Sequence, residues 1–145
     1  EIKARIRRMQ REVSQRAQKV RESLQDVPDA TVVITNPIHF AVALKYTLGA
    51  QGAPKIVSIG RGQIAHEIRK RAISGSVHVF QSPELARALF FSGDIGEEIH
   101  EDLYAAVATV IAFVFKMEQG EDYTYPDIEV PDSLLFDEFG QKKAA

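Results

Sequence analysis

Three residues in the stretch "VVITNPIHFAVAL" (Val32 to Leu44) have the types and spacing to do chemistry: Asn36, Pro37 and His39. An asparagine normally loses its side-chain amide when the next backbone nitrogen attacks it. Here the next nitrogen belongs to proline, which is tertiary and carries no hydrogen, so that route is closed. The remaining route reverses the roles. The Asn36 amide nitrogen attacks its own backbone carbonyl carbon, a five-membered succinimide closes, and Pro37 leaves as a new amino terminus. In a free peptide this is slow because an amide is a weak nucleophile. A fold that holds the attack geometry can supply roughly 7–11 kcal/mol of the barrier. A group that takes the amide proton or gives one to the leaving nitrogen helps further. His39 lies two places past the proline and is of the residue type suited to that task. Asn-Pro is also an ordinary turn dipeptide. The strand-forming run on each side and the nearby histidine set this pair apart.

The elements that must hold the pair can be read from the pattern around it. Ile2, Ile6, Met9, Val13, Val20 and Leu24 recur at close to helical spacing among Arg, Lys, Gln and Glu. That predicts a long amphipathic helix, stopped by Pro28. "TVVIT" and "AVALKY" read as strands flanking Asn36-Pro37, "KIVSIG" as a third and "VHVF" as a short fourth. "RGQIAHEIRKRAI" lies between the last two as a helix with Ile64, Ala65, Ile68 and Ala72 on one face. Ser82 followed by Pro83 opens a further helix. A final helix runs from about Glu101 to Glu118, and Gly120 ends it. The fold class is therefore α/β: a small central mixed four-stranded sheet surrounded by helices, with a long N-terminal linker helix. The expected organisation is a basic linker over residues 1–27, a compact domain over 28–119, and an acidic, mostly disordered tail with local apolar contacts over 120–145.

Composition narrows the chemistry. The 145 residues include no cysteine, which removes disulfides, thiolate nucleophiles and Cys-ligated zinc. The four histidines, His39, His66, His78 and His100, match no zinc spacing. Neither a metal nor a cofactor is expected. "GRGQ" (Gly60 to Gln63) sits between a strand and a helix, where phosphate loops occur. It lacks the third glycine of a dinucleotide fingerprint and the Gly-Lys-Ser/Thr of a P-loop. No apolar run approaches the ~20 residues of a membrane helix. The net charge of −2 hides an asymmetry: residues 1–25 hold eight Lys/Arg against three Asp/Glu, while the tail from Glu121 holds seven acidic residues against two lysines. Arg5, Arg7, Arg8 and Arg11 could contact phosphate, but no aromatic stacking platform accompanies them. No nucleic-acid partner is expected. A juxtamembrane position, with anionic lipid contact through residues 1–25, explains the charge better.

With these residues in view, "VVITNPIHFAVALKY" resembles the Asn-Pro-Thr-His segment of the FlhB/YscU family of type III export switch proteins. "IKARIRRMQRE", "APKIVSIGRGQIAHEIRKRA", "SPELARALF" and "IGEEIHEDLYAAVATVIAFVF" extend the resemblance over almost the whole chain, nearer the flagellar branch. The motif places Asn36, Pro37 and His39 in the family's cleavage site, and departs from it at Ile38, where the family pattern has Thr. The reacting atoms belong to residues 36 and 37, so cleavage is expected despite Ile38. The resemblance implies one self-cleavage per chain rather than a turnover enzyme. It implies a change of export substrate specificity in the flagellar export apparatus. The implied partners are other export-apparatus proteins, export substrates and a hook- or needle-length control protein. The implied place is the cytoplasmic face of the bacterial inner membrane, with a membrane-embedded region upstream of Glu1. The alternatives are an injectisome switch protein and a docking module that does not cut itself.

Overall fold

A computed structural model describes residues 1–37 and 39–143. Eight regular elements follow one another: α1 (Ile2–Ser23), β1 (Val32–Asn36), β2 (Phe40–Lys45), β3 (Lys55–Arg61), α2 (Gln63–Ser74), β4 (His78–Gln81), α3 (Pro83–Ser92) and α4 (Tyr104–Glu118). The strands form one mixed sheet in the order β3-β2-β1-β4, with β1 antiparallel to β2, β2 antiparallel to β3, and β1 parallel to β4. Helix α2 therefore carries the chain from one edge of the sheet to the other.

β1 and β2 are the inner strands, and both of their faces are covered. This explains why they read as unbroken apolar runs rather than alternating ones. Val32, Ile34, Phe40, Val42 and Leu44 point into a core closed by α3 and α4. Val33, Ala41 and Ala43 point the other way, against Ala65, Ile68 and Ala72 of α2 and against Leu24 and Val27. Small alanines on β2 let α2 approach closely. A β-bulge between Ala43 and Leu44 adjusts the β2/β3 register at its far end from the turn.

The basic helix α1 is exposed over most of its length. Ile2, Ile6, Met9 and Val13 lie open. Its C-terminal end is tied to the domain. The Ser23 hydroxyl lies 2.8 Å from that of Ser58 on β3, and Arg16 pairs with Asp94 at 2.6 Å. Pro28 is not where the α-helix stops. The helix ends at Ser23 and tightens into a 3-10 turn, Leu24–Asp29, that contains the proline. Its apolar Leu24 and Val27 reach the core there.

The tail is predicted from composition to be mostly disordered. Its described part instead follows the surface of the core. Val130 and Leu134 are buried, Asp132–Leu134 form a 3-10 turn, and Phe136 pairs with Lys142 in an isolated bridge. Tyr125 stacks on Phe80 at 5.4 Å between ring centres, and Arg87 donates to the Phe136 carbonyl at 2.8 Å. Aromatic anchors thus offset the acidity that composition alone weighs.

The Arg16–Asp94 clamp makes a testable claim. Partial burial raises the Asp94 pKa, but the Ile95 backbone N–H and the Arg16 guanidinium outweigh it and hold the carboxyl below its usual 3.8. A depressed folded-state pKa stabilises the fold above the unfolded value and loses that contribution as pH falls through the folded value. The pair is half-exposed and screened, so Arg16→Ala should cost less than about 1 kcal/mol at neutral pH. Urea unfolding should show that difference at neutral pH and show it shrinking as pH falls through the carboxylate range.

Candidate functional site

The Asn36-Pro37 bond lies in the turn between the two inner strands. The last paired residues are Asn36 and Phe40, so only three residues close the hairpin. The His39 backbone N–H donates to the Asn36 carbonyl at 3.0 Å, and the His39 carbonyl accepts from the Gly62 N–H at 3.1 Å. One bond closes the turn and the other ties it to the junction of β3 and α2. On the far side, the Ser82 N–H donates to the Thr35 carbonyl at 2.9 Å, which fixes the residue just before Asn36. Ile38, the departure from the family motif, lies outside the described residues.

The residue after the turn is the anchor. Phe40 is fully buried, with its ring 4.8 Å from Phe90 and 5.5 Å from Phe91. The Arg61 guanidinium sits 5.0 Å from the centre of the Phe40 ring, and Arg61 also donates to the Glu138 carbonyl. A cation over a ring face adds to this packing.

A cleft of about 640 Å³ opens beside the turn. Thr35, Asn36, Pro37 and Phe40 line one side; Gly62, Gln63, Ala65, His66 and Arg69 line the other. Asn36 and Pro37 are thus brought together at the cleft. His39 is exposed and is not part of its lining; its contact with Asn36 runs through its backbone N–H. His66 and Arg69 were not singled out as partners of Asn36 in the sequence reading. The signal was there: they are three apart on α2, so they share one face. What the sequence does not supply is that this face lies beside the turn. The neighbouring Arg71 bonds Glu67 at 2.9 Å and, chiefly through that bond, holds its carboxyl below the usual range.

The glycines of "GRGQ" have structural tasks here. Gly62 adopts φ 60° and ψ −126°, a conformation open only to glycine. A Cβ at Gly60 would collide with the Ile64 side chain. Among the described residues no group of His, Cys, Asp or Glu could hold a metal. His100 accepts the Asp102 N–H at 3.0 Å as a cap, and His78 sits on β4 edge-on to Phe113.

The chemistry open to this turn follows from its hydrogen bonds. Attack by the Asn36 amide nitrogen on the Asn36 carbonyl carbon would move negative charge onto the carbonyl oxygen. That oxygen already accepts the His39 N–H. A fixed donor aimed at a developing oxyanion stabilises the transition state without reorganising.

A second cleft, about 480 Å³, lies between the β2–β3 loop and α4. It is lined mainly by apolar groups, among them Tyr46, Pro54, Tyr104, Ile111 and Phe115.

A profile of the FlhB HrpN YscU SpaS family matches residues 1–114. The chain belongs to that family. It is 40% identical over 141 residues to the flagellar biosynthetic protein FlhB of Salmonella typhimurium, covering 93% of this chain and 36% of that protein. It is 44% identical over 114 residues to FlhB of Aquifex aeolicus, covering 79% and 31%. The chain thus spans about a third of the length of the FlhB proteins it matches. Among solved structures, the cytoplasmic domain of FlhB from Shewanella putrefaciens superposes with a TM-score of 0.72 at 32% identity, covering 80% of this chain and 95% of that one. The EscU C-terminal domain carrying an asparagine-to-alanine mutation superposes with a TM-score of 0.59 at 28% identity, covering 71% and 97%. By similarity the chain lies on the FlhB side of that family. Among the described residues no helix is long and apolar enough to cross a membrane.

The positive-φ junction is a direct test of how the turn is held. Gly62→Ala should destabilise the domain by about 1–3 kcal/mol. It should also shift the amide resonance of residue 62, whose N–H holds the turn. An unchanged melting midpoint and spectrum would show that the junction does not constrain the turn.

Proposed function

We propose that this chain is the cytoplasmic domain of a flagellar export-apparatus protein that changes substrate specificity, and that it cuts itself once, between Asn36 and Pro37. The observation that carries the reading is the His39 N–H bonded to the Asn36 carbonyl in a turn held between two buried strands. The Asn36 amide attacks, the Pro37 nitrogen takes a proton as it leaves, and a succinimide remains on residue 36. The His39 side chain assists as acid or base from the exposed side of the turn. The halves stay together, because β1 keeps its pairing with β2 on one side and β4 on the other. What changes is the surface of the turn, which gains a Pro37 ammonium.

The flagellar reading is preferred to an injectisome one. Identity is near 40% to proteins called flagellar biosynthetic protein FlhB, and among solved structures the FlhB domain superposes better, with a TM-score of 0.72 at 32% identity, than the EscU domains, with 0.59 at 28–30%. The full-length protein would hold this domain at the cytoplasmic face of the inner membrane, with the basic α1 next to the lipid. The apolar cleft between the β2–β3 loop and α4 is the surface where apolar residues of an exported chain would rest. A length-control protein would read the remodelled turn.

Denaturing mass spectrometry tests the cut. The wild-type chain should give two masses that sum to the full chain plus water once the succinimide opens, and Asn36→Ala only one. His39→Gln keeps the backbone donor and replaces the imidazole with an amide that cannot act as acid or base, so cleavage should slow by roughly 10²-fold without stopping. Full-length wild-type mass after days at neutral pH would defeat the reading. For docking, Ala112→Glu puts a charge on an exposed position of the apolar cleft. It should weaken binding of export-substrate peptides by about tenfold or more and leave the melting midpoint within a few degrees. Unchanged binding would move the docking surface elsewhere.

A further inference from the structure

We propose that the cleft beside the turn is a receiving site for the carboxylate that cleavage creates on residue 36, with Arg69 as its cation. This rests on the self-cleavage reading. The succinimide left by the cut holds two carbonyl carbons and one nitrogen. Water adds to one carbonyl carbon, the ring C–N bond breaks, and residue 36 is left with one carboxylate and one carboxamide, whichever carbonyl is attacked. The cut therefore turns a neutral peptide bond into an anion at one end and a Pro37 ammonium at the other.

The walls of the cleft are matched to the first of these and not to the second. Asn36 and Pro37 border it on one side and Arg69, His66 and Gln63 on the other, with no acidic residue in the lining. Arg69 makes no ion pair or hydrogen bond among the described residues, whereas its neighbour Arg71 is engaged by Glu67, and Arg16, Arg61 and Arg87 each have a partner. The new anion meets an uncommitted guanidinium, which suits a carboxylate better than an ammonium would. The Pro37 ammonium is repelled by the same charge. The cut ends become unequal: the residue 36 end is kept against α2, and the segment that starts at Pro37 is driven out of the cleft. The remodelled surface is then the Pro37 side of the turn.

The test compares the cut chain with an uncuttable one. Arg69→Gln should speed separation of the residue 1–36 fragment from the rest roughly two- to fivefold at low salt, the range of a partly exposed ion pair. The difference should fade at high salt, and Arg69→Lys should restore part of it. In the Asn36→Ala background, Arg69→Gln should leave the unfolding rate unchanged, since no carboxylate forms. Equal effects of Arg69→Gln in cut and uncuttable chains, or none in the cut chain, would overturn the site. Mass spectrometry of the same samples reports separately whether the wild type cuts itself. If it does not, residues 1–36 and 37–145 produced together as two chains supply the same carboxylate, and the comparison still decides for or against Arg69.

Discussion

The pairing of β1 with β2 is the constraint on which everything else depends. Both strands are buried on both faces, so a one-residue slip would exchange the residues facing α2 with those facing α3 and α4. Val33, Ala41 and Ala43 suit the close approach of α2; Ile34, Phe40 and Val42 suit the wider space under α3 and α4. The register is therefore fixed by volume as well as by hydrogen bonds. With Asn36 opposite Phe40, three residues must turn the chain, and the Asn36-Pro37 bond is confined to that turn.

That rigidity separates the two things a self-cleaving turn needs. The bond must be held for attack, and the molecule must survive its loss. The His39 N–H on the Asn36 carbonyl and the Gly62 N–H on the His39 carbonyl serve the first. The core under Phe40, with Phe90, Phe91 and Arg61, serves the second, because it holds β2 in place from the side of the turn that remains after a cut. The proposed self-cleavage would be a surface event on a framework that does not depend on the broken bond.

Much of the fold was legible because its signals are local. β-branched runs marked the four strands, Ser82-Pro83 marked the start of α3, and the 3.6 period marked α1 and α2. The end of α1 was misplaced because the chain tightens into a 3-10 turn at Leu24, where Pro28 is tolerated. In the tail, Tyr125, Val130 and Phe136 are scattered among acidic residues and find their partners only in three dimensions. At the turn, bond chemistry alone marks Asn36 and Pro37 as candidates, and the structure places both at the cleft. The contribution of the His39 backbone was not, since a turn hydrogen bond has no residue signature. Nor were His66 and Arg69, which reach the turn because α2 crosses the sheet from β3 to β4.

The central claim is that folding, and not the Asn-Pro dipeptide alone, drives the cut. The most direct measurement follows the full-length mass in chain kept unfolded in urea and in the same chain after dilution into native buffer. The account predicts that cleavage begins on refolding and runs at least about 10²-fold faster than in urea. Equal rates in the two states, or a refolded chain that stays whole, would contradict it.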